Sequence, residues 1–171
     1  DRLPEGPLVD CGTGTGLIAG WLSKRTNRYV LATERYAKPM ELARENRGLN
    51  GWHFPLVRTD RLSGIGGPLA AVVANLPYVL PDSDEVAESV ADHEPAEALY
   101  VPEDPESFYG EFIEDALKKL RPGGELWLEG APPLFERIEN TLADLPPYDA
   151  RFKEDTAGRV RYLRITRPGK G

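Results

Sequence analysis

The chain has 171 residues, enough for one domain with a sizeable hydrophobic core, and we treat residues 1–171 as a single unit. A hydrophobic content of 40% and a charged content of 29% are typical of a globular protein. No apolar run approaches the roughly 18–20 residues that a membrane-spanning helix needs. A single cysteine, Cys11, excludes an internal disulfide and a cysteine-based zinc site, and it favours a cytoplasmic location.

The net charge of −7 is unevenly distributed along the chain. Residues 61–115 carry one basic side chain, Arg61, and thirteen acidic ones, whereas the segments before and after have net charges of +2 and +3. Phosphate backbones are attracted by clustered Lys and Arg and repelled by such an acidic block. The block therefore makes nucleic acid a less favourable partner than protein, although a solvated loop without any partner has the same composition.

Apolar runs and helical periodicities alternate along the first half of the chain. Leu17, Ile18, Trp21 and Leu22 recur at helical spacing, and Pro39 opens a second helix that closes near Gly48. Short runs rich in β-forming residues lie between them. The predicted strands cover residues 7–11, 29–34, 54–58 and 69–74.

The second half begins with an irregular stretch, residues 79–106, that is rich in Pro, Asp and Glu and allows no assignment of elements. A clear amphipathic helix then runs from Phe108 to Leu120, and Pro122-Gly123-Gly124 is predicted to end it. Further along, the patterns predict a strand over 125–129, a helix over 134–145, and a hairpin of strands 149–153 and 160–166.

Alternation of strands and helices predicts a doubly wound α/β fold, with a mostly parallel sheet and a C-terminal antiparallel hairpin. In such folds ligands bind beyond the carboxyl ends of the strands, where the strand order reverses. Polar side chains lie at the ends of four of the predicted strands, at that edge. They are Asp10, Glu34, Asp60 and Asn75.

A glycine-rich turn follows the first strand, with Gly12, Gly14 and Gly16 separated by Thr13 and Thr15. Glycines in such a turn let the backbone approach a ligand closely. The fingerprint of NAD-binding proteins would need glycine in place of Leu17, so it is not met. The spacing, with Asp10 before it, is that of S-adenosylmethionine enzymes, and Asp10 is a candidate to receive the methionine ammonium group. A purely structural turn remains the alternative.

Two further carboxylates are candidates for cofactor contacts. Glu34 ends the second strand, where an acid can accept hydrogen bonds from the two ribose hydroxyls of a cofactor. Asp60 ends the third strand and could accept from the adenine amino group. Each is also common as an ordinary strand-end or turn residue, so both assignments depend on the glycine turn.

Asn75-Leu76-Pro77-Tyr78, the acceptor tetrad, is the candidate reaction site. A planar amide nitrogen is a poor nucleophile, because its lone pair is delocalised into the carbonyl group. The Asn75 side-chain oxygen and the Leu76 carbonyl are two acceptors that can hold such an –NH2 group. Pro77 fixes the bend, the Tyr78 ring can stack on a flat group, and most of the rate would come from alignment and exclusion of water. The alternative is an ordinary Asn-x-Pro turn.

Two other features carry no chemistry in this interpretation. His93 lies among acidic residues without a second histidine, so we expect no metal site. The three tryptophans, Trp21, Trp52 and Trp127, are most simply explained by packing in the core or at its edge.

Several motifs together resemble the HemK/PrmC family, the protein-(glutamine-N5) methyltransferases that act on peptide-chain release factors. They are Asp10 to Ala19, Glu34, Asn75 to Tyr78, Glu94-Pro95 with Ala98-Leu99, Leu120 to Gly124, and Lys153 to Val160. The resemblance implies a Rossmann-like class I methyltransferase fold with S-adenosylmethionine as cofactor. It also implies that Gly12 to Gly16, Glu34, Arg61 and Asn75 contact the cofactor, with Asp60 beside the adenine, and that Asn75 to Tyr78 hold the glutamine amide.

The chain departs from the family pattern in two ways. The usual tetrad of the family is Asn-Pro-Pro-Tyr, and Leu76 replaces its first proline, which gives the form typical of ribosomal RNA adenine dimethylases. The family also has an amino-terminal helical domain that helps to grip the release factor, and we expect it to be absent from this chain. Because the first residue is Asp1 rather than Met, we expect that an upstream segment has been removed.

Three functions remain open at this point. The first is methylation of a protein glutamine, with a release factor or another translation protein as substrate. The second is N6-methylation of adenine in RNA or DNA, with Tyr78 stacked on a flipped base. The third is a catalytically silent subunit that binds the cofactor and serves a partner. The acidic block favours the first, and the sequence leaves the oligomeric state open.

Overall fold

The computed structural model describes residues 3–80, 100–101, 104–143 and 148–169. The helices and strands follow the predicted alternation. Their bounds are β1 Leu8–Cys11, α1 Leu17–Arg25, β2 Val30–Glu34, α2 Ala37–Leu49, β3 Leu56–Arg58, β4 Leu69–Ala74, α3 Pro105–Lys119, β5 Leu120–Glu129, α4 Pro132–Ala143, β6 Asp149–Glu154 and β7 Val160–Thr166. None of the helices in these ranges has the length and apolar character of a membrane span.

All seven strands form one sheet in the order β3-β2-β1-β4-β5-β7-β6. The first five strands are parallel, and β7 pairs antiparallel with both β5 and β6. The predicted fold, a mostly parallel sheet with a C-terminal antiparallel hairpin, is therefore confirmed. The chain leaves β1 toward β2 on one side and returns through β4 on the other. The switch point that such folds use for ligands consequently lies between β1 and β4.

The central strands are buried on both faces, which explains their continuous apolar sequences. Every residue of β1 is buried, and in β4 only Val73 is partly exposed. One face packs against α3 and α4 through side chains such as Phe112 and Phe135, and the other packs against Ala19 of α1 and Phe54. Asp10 alternates with Val9 and Cys11 along β1, so its side chain lies on the α1 face of the sheet.

Helix α3 begins three residues before the predicted start at Phe108 and ends at Lys119, one residue before the predicted end. The Asp104 carboxylate accepts from the Ser107 N–H at 2.9 Å, and Pro105 is the first helical residue. The helix ends at Lys119, and the Pro122-Gly123-Gly124 run lies inside β5. The predicted strand over 125–129 is therefore longer than expected, because Arg167 pairs with this run: the Gly123 N–H donates to the Arg167 carbonyl at 2.8 Å, and the Arg167 N–H donates to the Gly124 carbonyl at 2.9 Å.

The tryptophans differ in their surroundings. Trp52 packs on α1 where Gly20 leaves room, since a Cβ at Gly20 would lie 2.2 Å from the Trp52 ring. Trp127 is partly buried and donates its Nε1–H to Glu125 at 2.7 Å. For Trp21 the packing prediction was wrong: the residue is 56% exposed and lies beside the Arg25 guanidinium.

Some expectations concern residues that the structure does not describe. His93, Glu94-Pro95, Ala98-Leu99 and much of the acidic block fall in residues 81–99. Within the part of the chain that is described, no group of three or more potential metal ligands occurs.

Candidate cofactor and acceptor site

Three loops meet at the carboxyl edge of the sheet, beside the switch point. The ends of β1, β2 and β4 are level with one another, because Cys11 is the register partner of both Thr33 and Ala74. Loop 12–16 therefore leaves the sheet between two neighbours. The acceptor tetrad follows β4 on one side of β1, and Glu34 ends β2 on the other side. The fold brings the two sequence motifs of interest to neighbouring positions.

The glycine turn has a backbone that favours glycine at three positions. Gly12, Gly14 and Gly16 have φ angles of +70°, +54° and +79°. The Thr13 N–H donates to the Thr33 carbonyl at 2.9 Å, which fastens the turn to β2. A Cβ at Gly14 would meet no atom within 4 Å, so the loop borders open space there. Exposed Thr15 is fixed through its carbonyl, which accepts from the Asn46 side chain at 2.9 Å.

Asp10 is a buried carboxylate with one oxygen in use and one without a partner. Its Oδ2 accepts from the Thr13 hydroxyl at 2.6 Å and from the Ala19 N–H at 2.9 Å, which ties the turn to α1. Its Oδ1 is buried, and no residue in the described part of the chain donates to it. Burial raises the pKa of Asp10 to about 6. An adjacent cationic group would satisfy Oδ1, so the residue fits the predicted role of receiving an ammonium group.

This pKa predicts that cofactor affinity depends on pH. A cation favours the Asp10 carboxylate, so binding lowers the pKa from about 6 and requires loss of a proton at more acidic pH. We expect affinity, measured by calorimetry, to be constant above about pH 7 and to fall toward about pH 5, by at most tenfold per unit. The folding stability of the ligand-free protein depends on pH in the opposite direction. The raised pKa of Asp10 contributes stability below about pH 4, and this contribution is lost as the pH rises through 6.

Asp10→Asn provides the control for this titration. The variant has nearly the same shape and cannot ionise, so its affinity should be weaker overall and flat across the same pH range. An unchanged pH profile in the variant would assign the titration to another group.

Glu34 is buried, and both of its carboxylate oxygens hold backbone groups. Oε2 accepts from the Gly14 N–H at 3.0 Å, and Oε1 accepts from the Tyr36 N–H at 2.9 Å. An ionised carboxylate has about four acceptor positions, so each oxygen can still receive one ribose hydroxyl. The residue therefore fits the predicted ribose contact and, in addition, fixes the middle of the glycine turn.

Replacing Glu34 by Ala should weaken cofactor binding by roughly 1–3 kcal/mol, the scale of a charge-assisted hydrogen bond. The loss combines the missing ribose contacts with a Gly14 N–H that no longer has its acceptor. Calorimetric titration of the cofactor measures it, with Glu45→Ala on the exposed surface of α2 as the matched control. Equal affinities in the two variants would contradict the ribose assignment.

Asp60 and Arg61 lie in the turn that follows β3. Asp60 is half exposed and forms ion pairs with Arg35 at 3.7 Å and with Arg61 at 3.9 Å, so its adenine contact stays a prediction. The Arg61 guanidinium donates to the Phe108 carbonyl of α3 at 2.9 Å and lies 4.8 Å from the centre of the Phe108 ring. Its side chain thus has a structural partner, and its contact with the cofactor stays a prediction.

The tetrad is joined to the glycine turn through Leu76. The Leu76 side chain is buried, and a Cβ added to Gly12 would lie 2.8 Å from its Cδ2 atom. Asn75 is exposed, and its carboxamide forms no hydrogen bond with any residue that the structure describes. The glycine turn and the tetrad therefore share one surface, with the Asn75 amide available to a ligand.

The later half of the tetrad is held by α3 and β7. The fully buried Tyr109 donates its hydroxyl to the Pro77 carbonyl at 2.6 Å. The Arg161 guanidinium lies 5.7 Å from the centre of the Tyr78 ring, so one face of that ring already has a neighbour. The sequence analysis did not single out Tyr109. Its place on the apolar face of α3 was the available signal, because a buried tyrosine hydroxyl needs a hydrogen-bond partner.

Comparison with curated proteins gives several relatives named release factor glutamine methyltransferase. The chain is 33% identical to the release factor glutamine methyltransferase of Deinococcus radiodurans over 98% of its own length and 60% of the relative's. It is 34% identical to the protein of that name from Streptococcus pneumoniae, over 91% of this chain and 57% of the relative. The chain therefore spans about three-fifths of the length of these relatives. No protein-family model matches the sequence.

Solved structures identify the fold. A methyltransferase from Pyrococcus furiosus superposes with a TM-score of 0.72 at 22% identity, covering 98% of this chain and 78% of that one. A SAM-dependent O-methyltransferase from Thermotoga maritima gives a TM-score of 0.63 at 15% identity, covering 99% and 62%. The chain has the Rossmann-like methyltransferase fold, and its resemblance to the release factor glutamine methyltransferases, over a part the size of a catalytic domain, is confirmed.

Proposed function

We propose that this chain is the catalytic part of an S-adenosylmethionine-dependent methyltransferase whose acceptor is the side-chain amide of a protein glutamine. The observation that carries the proposal is the close approach of Leu76 to Gly12, where an added Cβ would lie 2.8 Å from Leu76 Cδ2, so that the glycine turn and the acceptor tetrad are adjacent. The fold, and the name that several of the relatives carry, support the same activity and cofactor.

The residues at the edge of the sheet fit S-adenosylmethionine. Asp10 offers an unpaired buried oxygen to the ammonium group, Glu34 offers acceptor positions to the ribose, and the open side of Gly14 leaves room between them. Asp60, and Arg61 in the same turn, are candidates for the adenine side. When bound, the cofactor supplies an electrophilic methyl group on a sulfonium centre.

The tetrad prepares the acceptor nitrogen. The Asn75 side-chain oxygen and the Leu76 carbonyl accept the two N–H bonds of a primary amide, which holds the nitrogen in place and weakens the conjugation of its lone pair with the carbonyl. With the cofactor bound, these two acceptors would hold the nitrogen toward the methyl group that the cofactor supplies, and one of them would accept the hydrogen bond of the proton that the nitrogen gives up. No strong base is needed, so alignment and exclusion of water account for most of the rate.

Charge favours a protein over a nucleic acid as substrate. No Lys or Arg occurs between Arg61 and Lys118, the stretch that begins before the tetrad and continues beyond it. A polyanionic backbone gains affinity from clustered positive charge, which this stretch lacks. We infer a protein substrate of the release-factor type, acting in the cytoplasm.

One observation favours a second candidate. Leu76 gives the tetrad the form found in RNA adenine dimethylases, and the exocyclic amine of adenine is also planar and conjugated. The same two acceptors could hold that amine, with Tyr78 stacked on a flipped base. The tetrad therefore does not distinguish the two acceptors, and the distinction depends on charge and on the relatives.

The experiment compares methyl transfer from labelled cofactor to a purified release factor and to RNA, with mass spectrometry to locate the label. Label on a glutamine side chain supports the proposal. Label in RNA alone would establish the adenine activity instead. Cofactor binding by calorimetry, with no transfer to either pool, would identify a catalytically silent cofactor-binding subunit.

A further inference from the structure

Helix α3 contacts the acceptor tetrad through a buried tyrosine. Tyr109 is 0% exposed, yet its hydroxyl reaches the Pro77 carbonyl at 2.6 Å. Proline has no N–H, so the carbonyl of Pro77 is one of the few backbone groups through which a hydrogen bond can fix this loop. Burial, with Tyr78 nearby, raises the pKa of Tyr109 above its usual range, so the hydroxyl stays protonated and acts as a donor.

The same turn of α3 is fixed to the loop that follows β3. Arg61 donates to the carbonyl of Phe108, the residue before Tyr109, at 2.9 Å, and to Glu111 at 3.2 Å. The Phe108 ring lies under the Arg61 guanidinium and meets the Tyr109 ring edge-on at 5.3 Å. Arg61 thus fixes Phe108, and the next residue, Tyr109, fixes the tetrad through the Pro77 carbonyl.

The position of Pro77 determines where the acceptor groups lie. The Leu76 carbonyl is separated from the Pro77 carbonyl by one residue, and the Leu76 side chain is buried against Gly12. With both sides fixed, the peptide groups from Asn75 to Tyr78 have little freedom to rotate. Methyl transfer is sensitive to such alignment, because a displacement of about 1 Å can cost on the order of 10²-fold in rate.

We propose that Tyr109 is a positioning residue for the acceptor, which acts through its hydrogen bond to the Pro77 carbonyl without touching the substrate. The proposal rests on the proposed function, since it concerns the loop assigned to the acceptor amide. It predicts that loss of one oxygen atom on α3 slows methyl transfer while cofactor binding is preserved.

The test compares wild type, Tyr109→Phe and Tyr148→Phe. Tyr109→Phe keeps the buried ring and removes the hydroxyl. Tyr148→Phe makes the same change on a partly buried tyrosine whose side chain packs against the same core. With glutamine-containing substrate, we expect kcat to fall about 10- to 100-fold in Tyr109→Phe alone. The KM and Kd for the cofactor should stay within about threefold of wild type.

Hydrogen exchange over residues 75–80 in the cofactor complex gives a readout that needs no substrate. Faster exchange of this segment in Tyr109→Phe than in Tyr148→Phe supports the positioning role. An unchanged kcat with unchanged exchange overturns it, and so does a loss of cofactor affinity equal to the loss of kcat. A wild type that transfers no methyl group to glutamine overturns the proposed function, while the exchange comparison still decides the role of Tyr109.

Discussion

Asn75→Ala should reduce methyl transfer by about 10³-fold, the scale seen when one preorganised hydrogen-bonding group is removed from a reaction site. The Asn75 carboxamide is exposed and engages no residue in the described ranges, so no structural partner is lost with it. We expect the fold to be intact and the Kd for the cofactor to change by less than about tenfold. Single-turnover transfer and calorimetry on the same sample measure the two effects.

The matched control for this variant is Asn140→Ala, which removes an exposed carboxamide from α4. It should have wild-type activity, because Asn140 is exposed on α4 and belongs to none of the loops that form the site. Asn75→Ala activity equal to that of Asn140→Ala would remove Asn75 from the reaction. A collapse of cofactor binding in Asn75→Ala would instead place its main role with the cofactor.

Gly12→Ala is the second substitution with a large expected effect. The left-handed φ of +70° costs a residue with a Cβ roughly 1–2 kcal/mol. The new Cβ would also meet Leu76 Cδ2 at 2.8 Å, so the buried Leu76 side chain must shift, and we expect this shift to disturb the tetrad. We therefore expect a lower free energy of unfolding in urea and at least a tenfold loss of kcat.

Gly51→Ala separates the two causes. Gly51 has a φ of +59°, but a Cβ there would meet nothing within 4 Å. It should show the loss of stability with normal activity. Leu76→Ala alone and combined with Gly12→Ala completes a double-mutant cycle, in which the effects of the two changes on kcat should be less than additive. Strict additivity would show that the contact between Gly12 and Leu76 does not transmit the effect.

Much of the fold followed from local patterns in the sequence. Strands such as β4 are continuous apolar runs, and the hairpin of β6 and β7 has a turn signal between two β-rich segments. Because parallel strands present their carboxyl ends at one edge, the sequence also predicted that Asp10, Glu34 and Asn75 lie at strand ends on the same side of the sheet. These inferences needed only periodicity and one topological rule.

Other features depend on contacts between distant parts of the chain. Pro122-Gly123-Gly124 has the composition of a helix stop, yet pairing with Arg167 makes it part of a strand. Arg61 and Phe108 are far apart in sequence, so nothing local indicates that the guanidinium is bound to α3. The hydrogen bond of the Tyr109 hydroxyl could not be predicted from local sequence either, since its acceptor belongs to the loop that follows β4.

The two outermost strands of the sheet have consequences for solubility. At one end β3 has only three residues, and at the other β6 is exposed along its whole length. Four of the six residues of β6 are charged: Asp149, Arg151, Lys153 and Glu154. Short or charged border strands discourage the addition of a foreign strand, so the molecule is protected against edge-to-edge aggregation at both ends. Exchange of Arg151 and Lys153 for valine would weaken that protection at the β6 edge and promote association.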